Sequence, residues 1–408
     1  MKRILHIQFS SKSGGSAAWK LHEAFLAQPG FTSEVLSLHP NEQETPGLVV
    51  LPERSRFKAK VNNRLGNMFL DYDKSKFGLF SQPLIGTDVS KHPSVQKADV
   101  IYIHWVQMGV LTLGGFEKLV ETGKQIIIFM HDMWAITGGC HNSFDCLGYQ
   151  SDCKGCPILN RSKSLAARQL KWKESIFNRK NVFFVSPSRW LKSCAEESTI
   201  ARNRPVHYIP NYFNSKAFVP KDKVLAKRQM GISPETKVIV FGAVNLLSPY
   251  KGFKYLEKAL NHLPNIYQEE DVLILIFGSA EKEDMERRLP YNIKFLGYLG
   301  SEQEVAEAFQ ASDVFVIPSI MDNQPTVIVE SLSCGVPVVG FEIGGIPDMV
   351  KHKANGYLAQ VTDYQELAEG IKYCLEEQVT GYQLDNFGPA YVMELHNEMI
   401  DEQHAVSI

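Results

Sequence analysis

The feature that most restricts what this chain can fold into is an alternation. Apolar runs of strand length recur along most of its length, separated by segments of helical periodicity, and that pattern selects parallel sheets joined by crossover helices. In the first half the runs fall at 3–9 ("RILHIQF"), 33–38 ("SEVLSL"), 99–105 ("DVIYIHW"), 125–131 ("QIIIFMH"), 182–186 ("VFFVS") and 206–210 ("VHYIP"). In the second half they fall at 237–243, 271–278, 293–298, 313–318 and 336–341. A chain of 408 residues exceeds one ordinary core. The expectation is an α/β protein with two Rossmann-like, doubly wound domains.

Residues 209–223 ("IPNYFNSKAFVPKDK") follow neither period and are rich in proline, asparagine and lysine, which marks a linker. The expected division is 1–210, 211–385, and a helical segment 386–408 that crosses back to the first domain. Open parallel sheets bind ligands beyond the carboxyl ends of their strands. Two such sheets facing one another predict a cleft between them.

Composition narrows the function classes. A net charge of -2 gives no global attraction to nucleic acid, and none is expected as a partner. The first apolar run is interrupted by His6 and Gln8, so it reads as neither signal peptide nor anchor, and no apolar stretch approaches the roughly 20 residues of a membrane span. The expected location is the cytoplasm, at the inner face of a membrane. Residues 54–76 bear on that last point: Arg54, Arg56, Lys58, Lys60, Arg64, Lys74 and Lys76 surround Phe57, Val61, Leu65, Met68 and Phe69. The segment reads either as a solvated basic helix face or as a helix that docks on anionic lipid.

Two motifs carry candidate chemistry. Gly14 and Gly15 follow the first apolar run and precede a helix starting near Ser16, so the backbone there can approach an anionic ligand. Glycines at such a turn also serve purely steric ends. In the second half, residues 317–350 read "IPSIMDNQPTVIVESLSCGVPVVGFEIGGIPDMV". Asp322 enters a helix whose first turn suits Pro325, and Glu330, eight residues on, lies more than a turn inside it. Two carboxylates so spaced can hold two hydroxyl-bearing parts of one ligand, with helix N–H groups between them for phosphate. Glu330 taken alone is as well read as a surface residue.

This stretch resembles the signature of retaining nucleotide-sugar glycosyltransferases of family 4, and the likeness extends in order along the chain. "SKSGG" resembles the family's glycine loop, "HDMW" its active-site histidine, His131, and "VSPSRWL" with "IPNYFN" its lobe junction. "YKGF" resembles its phosphate-binding lysine, Lys251. The likeness is nearest to bacterial members that build surface polysaccharides. It implies that Glu330 binds the nucleotide ribose, that Asp322 binds the donor sugar, and that backbone amides at Asn323, Gln324, Pro325, Thr326 and Val327 line sugar and diphosphate. Lys251 would neutralise the diphosphate. Two departures stand out: Asp322 replaces the usual glutamate, and Asn245 replaces an arginine six residues before the lysine. Arg189 is a candidate to supply the missing cation.

The implied reaction moves a sugar from a nucleoside diphosphate to a growing, lipid-linked surface glycan with retention. Lys251 and the helix N–H groups stabilise the leaving oxygen. No cofactor is required, and no aspartate-x-aspartate motif stands at a strand end. His131 positions sugar and phosphate without serving as an obligatory base, and His104 reads as cleft lining. Alternatives on the same architecture are a phosphorylase or a sugar-nucleotide epimerase, and outside catalysis a sugar-binding protein.

Residues 137–157 contain Cys140, Cys146, Cys153 and Cys156, with intervals of five, six and two residues. The terminal CxxC with two further thiols is compatible with a closed, structural zinc site, in which His141 could replace one ligand. Reduced thiols packing a loop, or paired disulfides, are the competing readings. Cys194, Cys334 and Cys374 fall in helical patterns and are expected in the core.

Overall fold

The computed structural model describes residues 1–10, 17–41, 45–246, 248–263, 267–268, 271–279 and 282–406, without the side chains of 244–245, 282–284 and 403–406. The candidate anion-binding Gly14 and Gly15 therefore lie outside the described residues. The chain forms two compact units: Met1–Tyr212 together with Pro389–Ile408, and Phe213–Gly388.

The first unit is built on a seven-stranded sheet. Its strands are β1 (Lys2–Ser10), β2 (Phe31–His39), β3 (Leu48–Val50), β4 (Val100–Ile103), β5 (Gln125–Phe129), β6 (Val182–Ser186) and β7 (Val206–Tyr208). The order is β3-β2-β1-β4-β5-β6-β7, with neighbours parallel. Alternate residues of each strand enter opposite cores. Leu5, Ile7, Ile101, Ile103, Ile126 and Ile128 pack on one face, while Ile4, Val100, Tyr102, Ile127 and Phe129 pack on the other. Burial on both faces explains why these strands read as unbroken apolar runs.

The second face is covered by the helix Ala17–Leu26, through Leu21 and Phe25, and by the terminal helix Pro389–Val406, through Val392, Met393, Met399 and Ile400. Tyr102 and His396 share a buried hydrogen bond of 3.0 Å, and the Lys2 ammonium reaches Asp401 at 2.6 Å. The terminal helix thus belongs to the first unit although the second unit precedes it in sequence.

The second unit holds a six-stranded sheet of β8 (Lys237–Asn245), β9 (Val272–Ser279), β10 (Asn292–Gly297), β11 (Val314–Ile317), β12 (Val338–Phe341) and β13 (Gly356–Ala359). Its order is β10-β9-β8-β11-β12-β13, again with parallel neighbours. Two strands, β3 and β13, have no counterpart in the sequence reading. Both are edge strands too short to show a period.

In each sheet the chain winds outward from one central strand, then returns to its other side. The direction of winding reverses between β1 and β4 in the first unit and between β8 and β11 in the second. Crossover helices leave in opposite directions at such a point, and the carboxyl ends of the two strands stay open to a ligand.

Candidate functional site

In the second unit the reversal point gathers three of the sequence candidates. The loop after β8 contains a short 3-10 turn, Pro249–Lys251, and is tied to the loop after β11 by the Ile320 N–H donating to the Tyr250 carbonyl at 2.9 Å. This tie sets the Lys251 ammonium 2.6 Å from Asp322 Oδ2, an oxygen that also accepts from the Ser319 hydroxyl at 3.2 Å. Burial disfavours the ammonium, yet the charge and hydrogen bond of Asp322 hold Lys251 above the ordinary lysine range.

Two glycines make this approach possible. Gly252 has φ 68° and Gly344 φ 58°; a side chain at the first would collide with the Pro318 carbonyl, and at the second with the Asp322 carbonyl. Gly345 N–H donates to that same Asp322 carbonyl at 3.1 Å, which fixes the backbone that carries the carboxylate.

The helix after Asp322 spans Thr326–Ser333. Pro325 is its N-cap rather than a residue of its first turn, because its ψ of 109° is extended, and no side chain caps this end. The first-turn amides are thus not consumed by a cap. Gln324 is buried, while Asn323, Thr326, Val327 and Glu330 are partly exposed. Asn245 closes β8 and pairs with Ser279 beyond a bulge; its side chain is outside the described residues.

In the first unit the corresponding reversal point is lined by histidines. His131 follows β5, His104 follows β4, and His6 lies within β1. His131 Nε2 is 2.9 Å from His104 Nδ1, and His104 Nε2 is 2.9 Å from His6 Nδ1. Burial lowers all three, His131 to about 4. His104, expected only to line a cleft, is the middle of this chain. His6 was legible only as an interruption of an apolar run.

Asp132 is the second residue that sequence reasoning did not assign. Its Oδ2 accepts from His141 Nδ1 at 2.7 Å and from the Trp105 indole at 2.9 Å, and its Oδ1 accepts from the Trp134 N–H at 2.8 Å. Burial would raise its pKa, but the paired His141 and these donors hold it below the usual carboxylate range. Arg189 stands at the start of the helix Arg189–Glu197, its guanidinium 5.2 Å from the Tyr208 ring centre.

The four cysteines of the loop line one cavity of about 30 Å³ with Phe80 and Tyr149. None is in a disulfide, which removes that reading. Burial pushes the Cys140 thiol up to about 12 and the Cys153 thiol up to about 11. Gly148 N–H donates to Cys146 Sγ at 3.4 Å. Beside them Lys173 is fully buried, donating to the carbonyls of Trp134 and Thr137 with its ammonium 3.5 Å from the Trp134 ring centre. Burial lowers Lys173 to about 7. Among the described residues no group of three or more His, Cys, Asp or Glu is placed to hold a metal ion. His141 cannot substitute as a ligand, because Asp132 occupies Nδ1 and the Ser81 hydroxyl, at 2.7 Å, occupies Nε2.

Residues 53–69 form a helix. Ser55, Ala59 and Asn62 are its buried positions, and Asn62 Oδ1 accepts the N–H groups of Leu84 and Ile85, both at 2.9 Å. Phe57, Met68 and Phe69 are 68%, 65% and 59% exposed among the exposed Arg54, Lys58, Lys60 and Arg64. No helix among the described residues is long and apolar enough to cross a membrane.

Each of the two doubly wound units thus gathers polar residues at its strand-order reversal. The structure matches the crystal structure of Anabaena HepE in complex with UDP-glucose over 100% of both chains, with a TM-score of 0.61 and 20% identity. Residues 226–390 match the family described as "Glycosyl transferases group 1", so the second unit carries a domain of that family. Among curated relatives, N-acetyl-alpha-D-glucosaminyl L-malate synthase of Bacillus anthracis is 25% identical over 43% of this chain and 46% of its own. UDP-Gal:alpha-D-GlcNAc-diphosphoundecaprenol alpha-1,3-galactosyltransferase of Escherichia coli is 26% identical over the same shares, 43% and 46%. The aligned part spans about half the length of these curated relatives.

The neutral burial of histidines in the first unit has a pH signature. His22 and His131 are depressed to about 4 and His396 to about 3, each by burial, whereas unfolded histidine titrates near pH 6.5. Below about pH 6.5 the unfolded chain binds more protons, so stability falls as pH falls toward 4. All five tryptophans lie in the first unit, so indole fluorescence reports its unfolding. The urea midpoint at pH 5 should lie below that at pH 7; equal midpoints would show that these histidines are not buried neutral.

Proposed function

We propose that this protein is a retaining, metal-independent glycosyltransferase that moves a sugar from a nucleoside diphosphate to a growing, lipid-linked glycan. The observation that carries the reading is the Lys251–Asp322 pair beside a helix with no side-chain cap, inside a group 1 glycosyltransferase domain. Glu330 binds the ribose hydroxyls, Asp322 the sugar hydroxyls, and the amides from Asn323 to Val327 the sugar and diphosphate. A ligand diphosphate draws Lys251 from Asp322, which frees the carboxylate for the sugar as the phosphate gains a cation.

In the reaction the bond between the anomeric carbon and the diphosphate oxygen breaks, and a bond to the acceptor hydroxyl oxygen forms on the same face. The leaving diphosphate takes the acceptor's proton. Lys251 and the helix amides lower the barrier by stabilising the charge that develops on that leaving oxygen. His131 holds the transferred sugar and its phosphate. The UDP-glucose in HepE and the lipid diphosphate in the name of the Escherichia coli relative support the donor and acceptor classes.

The binding test is thermal shift against uridine, guanosine and adenosine diphosphate sugars. At about 100 times Kd, a binding donor should stabilise the protein by about 2.7 kcal/mol. Glu330→Ala should abolish that shift, and Asp322→Asn should lower transfer by roughly 100-fold while the nucleoside diphosphate still binds. No stabilisation by any of these sugars would overturn the reading.

The helix of residues 53–69 is read here as the contact with anionic lipid at the inner membrane face, because exposed aromatic and basic side chains share its outer side. The protein should co-sediment with phosphatidylglycerol vesicles, and Phe57→Ser with Met68→Ser should reduce this at least several-fold. Undiminished binding by that double variant would remove the helix from the membrane contact.

For the loop, Cys140, Cys146, Cys153 and Cys156 are read as a structural zinc strap, supported by their shared cavity and the buried ammonium of Lys173 near them. Elemental analysis of purified protein should find about one zinc per chain, bound as a closed four-thiolate site. Metal-free protein with an unchanged melting temperature after chelator treatment would leave the loop as packed thiols.

A further inference from the structure

We propose that a chain of three imidazoles, the buried His6 and His104 and the half-buried His131, locks the proton of His131 onto Nδ1, so that His131 meets its ligand as a hydrogen-bond donor and not as a base. The proposal rests on the reading of His131 as a residue that contacts the donor.

Proton counting carries it. Each of the two nitrogen-to-nitrogen contacts, both 2.9 Å, must contain a single proton, since two protons would clash and none would set two lone pairs against each other. Neutral imidazoles bring one proton apiece, so the three tautomers are coupled and only two arrangements satisfy both contacts. In one, every ring is protonated on Nε2, and the chain ends in an N–H at His6. In the other, every ring is protonated on Nδ1, and the chain ends in a lone pair at His6.

His6 decides between them. It is 0% exposed, and its Nε2 has no hydrogen-bond partner among the described residues. A buried N–H without an acceptor is rarer in folded proteins than an under-satisfied acceptor, so the lone pair belongs there. His6 Nδ1–H then donates to His104 Nε2, and His104 Nδ1–H donates to His131 Nε2. With its Nε2 accepting, His131 carries its own proton on Nδ1.

The surroundings keep the rings neutral. Tyr102 stacks on His6 with ring centres 5.2 Å apart, and Phe129 stacks on His131 at 4.9 Å, so the chain runs through an apolar aromatic layer. The ionisable groups that face it are His22, His396, Tyr102 and Asp132. Burial lowers His22 and His396, so both are neutral near pH 7, and it raises Tyr102, which stays protonated. The Asp132 carboxylate is held by His141, Trp105 and Trp134. A donor at His131 agrees with a reaction in which the leaving diphosphate, not the enzyme, takes the acceptor's proton.

The test is long-range proton–nitrogen NMR on the free, full-length protein labelled with ¹⁵N-histidine, with His6→Asn, His104→Phe and His131→Asn used to assign the three rings. The expected result is protonated Nδ1 and unprotonated Nε2 on all three; a protonated Nε2 on His131 overturns the proposal. Turnover supplies the second readout. Asparagine places an amide N–H near the position of Nδ1, so His6→Asn should retain more activity than His6→Leu. The leucine variant should lower kcat roughly tenfold, the scale of an outer-shell partner, with little change in KM for the donor. Equal losses in the two variants would overturn the relay. Because the tautomers are read without substrate, a failure of the relay and a failure of the glycosyltransferase reading remain distinguishable.

Discussion

A parallel sheet needs a crossover between neighbouring strands, and an open sheet that is wound both ways must reverse direction once. Everything functional here depends on where that reversal falls. In the second unit it separates β8 from β11 and brings the loops of Lys251 and Asp322 together; in the first it separates β1 from β4 and places His6 and His104 side by side. The apolar runs supply the driving force for both sheets, and the reversal leaves polar groups at strand ends where burial would otherwise be costly.

Those polar groups are handled differently in the two units. Lys251 and Asp322 form an ion pair across two loops. The histidines are buried deeper, where charge is unaffordable, and they share protons in a line of neutral rings. Asp132 stays ionised only because three donors converge on it. Tertiary structure thus sets the protonation of each group, and the chemistry open to it follows.

The surface helix and the cysteine loop illustrate two limits of pattern reading. Helical periodicity in residues 53–69 located a helix, and ordinary expectation would turn Phe57 and Met68 inward. The structure buries Ser55, Ala59 and Asn62 instead, because Asn62 is needed to bind the backbone of residues 84 and 85 and Ala59 lies against the Gly109 backbone. In the loop, thiol spacing allowed His141 as a ligand, but the ring is consumed by Asp132 and Ser81, a partnership between residues 60 apart for the serine.

The sequence by itself determined the two α/β sheets, most of their strands, the helix that follows Asp322 and the burial of Cys194, Cys334 and Cys374, because these follow from local periodicity and from apolar residues that must leave water. It also marked Lys251, Asp322, Glu330 and His131 as candidates, through short motifs. What only the tertiary structure decided were the edge strands β3 and β13, too short to carry a period, and the partners of the buried polar groups. His6, His104 and His131 lie on three strands or strand ends that are adjacent only in the folded sheet, and the Lys251–Asp322 contact spans 71 residues. Hydrogen bonds of that range leave no local trace in a sequence, since each residue type is set by a partner that folding alone brings near.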